Sequence, residues 1–167
     1  MSNVLQPLFR IRKFREENAS QEVGRKKRAL QEAEHDLEQK RKELSEYIAW
    51  RINKEDELYS GVFNKWLKRR NLDDLKQYVA TLRNQQVAME KEVGEAEKRK
   101  VEAEEALDAA REVLRKAILD KKKIEEYLKV WKAEMLAEEE RKAEKELEDF
   151  KKKDMENFEE EPDEFGN

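Results

Sequence analysis

Between Leu72 and Met135 the apolar positions recur at alternating intervals of three and four for nine heptads. They run Leu72, Leu75, Val79, Leu82, Gln86, Met89, Val93, Ala96, Lys100, Ala103, Leu107, Ala110, Leu114, Ala117, Lys121, Ile124, Leu128, Trp131 and Met135. Only Gln86, Lys100 and Lys121 interrupt them with polar side chains. A repeat of 3.5 residues is the seam of a helix supercoiled on a partner, and neither strands nor short packed helices produce it. At 1.5 Å per residue the segment predicts a helix on the order of 95 Å long.

A second, less regular stripe precedes it. Val23, Leu30, Leu37, Leu44 and Leu58 fall at seven-residue intervals with Arg51 in the vacant place, and Ala19, Ala33 and Tyr47 fill alternate layers. Lys26, Lys40 and Lys54 weaken those layers, and Ile48 with Ile52 suggests drift towards a wider repeat. Pro7 is expected to mark the helix start, because proline is tolerated in a first turn but not inside. The reversal is expected within residues 61–71, with Asn71 as N-cap and Asp73 and Asp74 in the first turn of the second helix.

Folding the chain at about residue 69 sets Leu44 opposite Ala96, Leu37 near Ala103, Leu30 near Ala110 and Val23 near Ala117. Large residues then face small ones, which favours an intramolecular antiparallel pairing over two parallel chains. Phe9 and Ile11 would meet Leu128 and Trp131. The expected fold is therefore all-α, a long antiparallel two-helix coiled-coil hairpin over residues 1–153. Helix one is placed at about 8–60 and helix two at about 72–150. An acidic, disordered tail is expected over 154–167, and beyond Met135 helix two has no partner within the chain.

Composition agrees with a long-helix protein: charged residues are 47% of the chain and hydrophobic ones 37%, with no cysteine. The net charge of −4 is uneven. Residues 154–167 hold seven carboxylates and no Lys or Arg, so residues 1–153 carry 37 basic against 34 acidic side chains, or +3. Signs interspersed in this way make a solvated face and not a nucleic-acid footprint. With no run of 18 apolar residues, no membrane insertion is expected. With no secretory signal and, as a lesser indication, no cysteine, the expected location is the cytoplasm.

Chemistry is sparse. A pair of helices offers no concave site with converging polar groups. His35 sits among Glu34, Asp36 and Glu38 off the seam, and the Glu102, Glu104, Glu105 group lacks a ligand loop. There is no phosphate loop, nucleophile motif or Cys/His cluster. No catalytic residue, cofactor or metal is assigned, and the chain reads as a non-enzyme.

Three groups of residues stand out instead. Tyr59, Phe63 and Trp66, with Lys65, Lys68, Arg69 and Arg70, gather near the reversal, either capping the core or presenting an interface. Tyr47, Trp50 and Tyr78 lie on facing parts of the hairpin; the tyrosines are near the seam, whereas Trp50 is off it. The stretch from Leu8 to Arg15, with Phe9 and Arg12, lies beside Lys121–Lys123 and Trp131 as a basic amphipathic surface. Asp73 and Asp74 are read as N-terminal helix charges.

The run Ala33-Glu34-His35-Asp36-Leu37, then Glu46-Tyr47, then Gln77-Tyr78-Val79-Ala80-Thr81-Leu82 after the reversal, resembles the YscO/FliJ family of type III secretion and flagellar export. The resemblance implies a hairpin similar to the stalk of rotary ATPases, whose paired terminal ends meet the export ATPase and whose remainder faces the export gate and secretion chaperones. It carries partner binding onto Tyr47, Tyr78 and Leu82, and the ATPase end onto Phe9–Arg15 with Leu128–Met135. Lys40 and Glu43 depart from the family pattern, where apolar or aromatic types stand. The implied protein is a monomeric, cytoplasmic stalk, peripheral at the inner-membrane apparatus. Two alternatives remain open: a structural coiled coil that oligomerises by parallel pairing, and a nucleic-acid-binding arm.

Overall fold

The computed structural model describes residues 2–63 and 69–159, with side chains described from 4 to 62 and from 71 to 159. Both segments are α-helix: α1 is Ser2–Phe63 and α2 is Arg69–Glu159. Ala, Glu, Lys, Leu, Arg and Gln dominate both, and these side chains lose little freedom on entering a helix. Gly24, Gly61 and Gly94 sit within helices, each at a cost of about 1 kcal/mol relative to alanine.

Both helices run past their expected ends. Pro7 lies inside α1 instead of opening it. So close to the N-terminus it forfeits a single backbone hydrogen bond, and half-buried Leu5 and Leu8 carry the seam across it. Because α2 begins at Arg69, Asn71 is a helical residue and no N-cap, and Asp73 and Asp74 fall beyond the first turn. At the other end α2 continues through Glu159, so Met155–Glu159 are helical where disorder is expected. From Glu138 onward every residue to Glu159 is exposed. That stretch is held by strong helix formers and by pairs one turn apart such as Lys142 with Glu138 at 3.5 Å. The expected turn residues 64–68 and the rest of the acidic tail lie outside the described residues.

The chain divides into two compact units, residues 17–115 and residues 1–16 with 116–167. In the first, α1 and α2 are antiparallel, as the bridges Asp36–Arg99 at 3.4 Å, Arg41–Glu97 at 2.8 Å and Glu55–Arg83 at 3.2 Å show by their opposed order. Its seam buries Ala19, Val23, Leu37, Val79, Leu82, Ala96, Leu107 and Ala110. Val23 clusters with Leu107 and Ala110, and Leu30 and Leu114 pack against them. Val23 was expected by Ala117, so the register is shifted by about one turn and Leu107 fills the layer. Alternating Leu and Ala layers fit almost as well after such a slip, and the flanking ion pairs choose between them.

The drift expected at Ile48 and Ile52 is seen at Ile48, which is half-buried, and at Glu55, which is buried one place beyond Lys54 of the stripe. Tyr47, Arg51 and Glu55 thus follow one another at steps of four, while Ile52 is exposed and takes no part in it. In the unit formed by residues 1–16 with 116–167, Ile124 is buried and Leu128 and Trp131 are half-buried. Phe9 and Arg12 are half-buried too, but Ile11 is exposed, so Ile11 is not the seam residue expected to meet Leu128 and Trp131.

Candidate functional site

Trp50 is the most conspicuous aromatic of the 17–115 unit. It lies three residues after Tyr47, hence on nearly the same helical face. The two rings meet with centroids 5.6 Å apart and planes tilted by 37°, a favourable aromatic arrangement. Trp50 is nevertheless 48% exposed, and Tyr78 on α2 is 43% exposed. Tyr47 is half-buried, and its hydroxyl donates to the carbonyl oxygen of Leu82 at 2.8 Å. Burial pushes its phenol above the ordinary value, with Tyr78 and Glu55 adding to the rise and Arg51 opposing it. One tyrosine thus ties α1 to α2, and the tryptophan stacked on it faces outward.

Leu82 does not belong to this surface. Its side chain is 8% exposed and lies in the seam, so it supports Tyr47 through its carbonyl and presents nothing outward. Trp66 lies outside the described residues. Lys40 bridges to Glu92 at 3.3 Å across the helices.

Beneath the aromatic pair is a polar network that reading the sequence missed. Glu55 is 8% exposed, the buried charged residue among the described residues. Its Oε1 accepts from Arg51 Nη1 at 2.7 Å and from Arg83 Nε at 3.2 Å, and its Oε2 accepts from Arg83 Nη2 at 3.4 Å. Arg51 Nε also donates to Gln86 Oε1 at 2.8 Å, and Gln86 Nε2 to Glu90 at 2.8 Å. The hydrogen bond from Arg83, followed by that from Arg51, holds the Glu55 carboxyl below the usual carboxylate range despite its burial. Arg51 filling the vacant apolar place, with a glutamate four residues on, is the sequence signal that could have found it. A buried charged cluster of this kind fixes register, since any slip strands its members without partners.

The remaining expected site residues lie in the unit of residues 1–16 and 116–167. Arg12 Nη1 donates to Asp120 Oδ2 at 3.2 Å, and Glu16 pairs with Lys121 at 3.0 Å. Phe9 and Trp131 are half-buried, so their outward area is limited. Ile11, Phe14, Tyr127 and Val130 are among the apolar residues this unit leaves exposed, as are Val4, Leu119, Leu136 and, further along α2, Leu147, Phe150 and Phe158. His35 is exposed, and among the described residues no group of three or more His, Asp or Glu side chains could hold a metal ion. Among the described residues no helix is long and apolar enough to cross a membrane.

The family model described as type III secretion protein YscO matches residues 5–153. Among solved structures, type III secretion protein YscO of Vibrio parahaemolyticus aligns with a TM-score of 0.84 at 20% identity, covering 89% of this chain and 94% of that one. A YscO homologue of Chlamydia trachomatis aligns with a TM-score of 0.79 at 21% identity, covering 95% and 98%. The two identities do not favour one of these relatives over the other, and both likenesses carry the fold alone. No curated protein matches in sequence.

Proposed function

The chain belongs to the YscO family of type III secretion proteins, and from that premise we propose that it serves the apparatus as a cytoplasmic, non-enzymatic stalk that binds the export ATPase and the export gate and escorts secretion chaperones. The observation that carries this reading is Trp50, an indole 48% exposed although its ring packs on Tyr47, with Tyr78 exposed as well. Aromatic side chains of this type anchor protein interfaces, because they bury much area while ordering few torsions. Trp50 with Tyr78 would form the contact for gate or chaperone, with Tyr47 as the post behind it. No substrate chemistry is needed for such a role, which is mechanical and associative.

For the ATPase end, the exposure pattern favours Ile11, Phe14, Tyr127 and Val130 as direct contacts. Phe9, Arg12 and Trp131 would then act as their support. A nucleic-acid arm has less behind it. Cationic side chains such as Arg41 and Arg99 are spent on bridges to Glu97 and Asp36 and do not line a basic stripe.

The reading is tested by capturing gate and chaperone from native lysate with tagged chain. Trp50→Ala with Tyr47→Phe is expected to cut capture of one or both at least tenfold at unchanged helicity. Undiminished capture of both by that variant removes this face from the account.

A further inference from the structure

Gly94 raises a question that the hairpin does not answer. Nothing lies within 4 Å of where its Cβ would be, so packing inside the chain does not call for glycine at this helical position. What glycine leaves is a shallow groove on the outer side of α2, lined by Gly94, Glu97, Lys98, Val101, Glu102 and Glu105. On a helix, the surface neighbours of residue 94 are those three, four and seven places away. Here these are Lys91 and Glu97, Glu90 and Lys98, and Val87 and Val101. Val87 is 61% exposed and Val101 50%.

Those six residues are complementary to themselves. A twofold axis through Gly94, relating two antiparallel copies of α2, sets Lys91 against the other copy's Glu97 and Glu90 against its Lys98. It sets Val87 against Val101 of the second copy. Each pairing occurs twice, as an isologous contact requires. A parallel arrangement would instead place Lys91 on Lys91 and Glu97 on Glu97, which is repulsive. The absent Cβ at the centre lets the two backbones approach.

We propose that α2 carries a self-association face centred on Gly94, through which two copies of the chain pair antiparallel. The occupant of the groove is thus a second copy, and the charge order around Gly94 is what selects it. Within the chain Glu97 also holds Arg41 at 2.8 Å and Glu90 accepts from Gln86. Lys91 and Lys98 have no partner among the described residues and are the free half of each pairing. The contact is small, so the dimer is weak and concentration-dependent. It uses a face separate from the seam, and it amends the expectation of a strictly monomeric hairpin without touching the secretion role.

The chain contains no cysteine, which permits a direct test. Full-length Val87→Cys and Val101→Cys chains are oxidised mildly, each alone and mixed. The mixture is expected to form the hetero-disulfide at least tenfold faster than either chain links to itself. Sedimentation equilibrium supplies a second measurement. Lys91→Glu/Lys98→Glu and Glu90→Lys/Glu97→Lys chains should each remain monomeric alone and associate when mixed. Equal cross-linking in all three samples overturns the pairing, as does a wild-type chain that stays monomeric up to about 1 mM.

Discussion

Glu55→Ala is expected to destabilise the protein by about 3 kcal/mol, because Glu55 is the buried charge among the described residues and holds two arginines. The substitution strands Arg51, whose half-buried guanidinium then keeps only its bond to Gln86, and it frees Arg83 from α1. Removing one member of a buried pair leaves an uncompensated charge, whereas removing both members does not. Arg51→Leu/Glu55→Leu should therefore recover most of the loss, since both positions lie on the seam. Urea unfolding followed by circular dichroism measures each variant. A small loss in Glu55→Ala, or no recovery in the double variant, contradicts the network.

The same carboxylate gives a pH dependence whose sign is fixed. Glu55 titrates lower in the folded chain than in the unfolded one, so above the unfolded group's range it contributes its full stabilisation. That contribution is lost as pH falls through the folded group's depressed range. Wild type should lose stability across that acidic interval more steeply than Glu55→Ala, for which this contribution is absent at every pH.

Leu107→Ala should cost about 2–3 kcal/mol. Leu107 is buried against Val23 and Ala110, with Leu30 and Leu114 around them. Truncation removes transfer free energy and leaves a cavity that Ala110 cannot fill, although two helices can close in partly, which sets the estimate near the low end for such changes. Val113→Ala, at an exposed position of the same helix, should change stability by less than about 0.5 kcal/mol. Equal effects at the two positions would mean that the layer at Val23 is wrongly identified.

The register of that layer marks the boundary of what could be read from the chain. The seam of α2 was legible because Leu72 to Trp131 keeps its spacing without a break, and each of these positions is shielded in the fold. Its pairing partner was not legible. Leu30, Leu37 and Leu44 can each accept more than one alanine layer, and the choice rests on exposed and half-buried ions such as Arg41–Glu97 that no hydrophobic pattern reveals. Helix ends were missed for a related reason. Pro7 reads as a boundary only when the seam gained across it is ignored, and residues 154–159 read as disorder only when the helix they continue is.

The candidate contact surface was legible in part. Trp50 lies off the stripe, and that predicted its exposure correctly. Leu82 lies on the stripe and belongs to it, so the resemblance alone had drawn it outward. Tyr47 sits between: seam spacing placed its ring, but the bond from its hydroxyl to the Leu82 carbonyl depends on register and could not be foreseen. Glu55 was hidden because a glutamate at a seam position is ordinarily a defect, and only the fold brings Arg83 to it.

The central claim is that this hairpin acts by contact through its outward aromatic group. The direct measurement is a calorimetric titration of the purified full chain with the purified cytoplasmic domain of its export gate. Wild type is predicted to bind, and Trp50→Ala to bind at least tenfold more weakly with an unchanged unfolding midpoint. Equal affinity for the two chains would contradict the account.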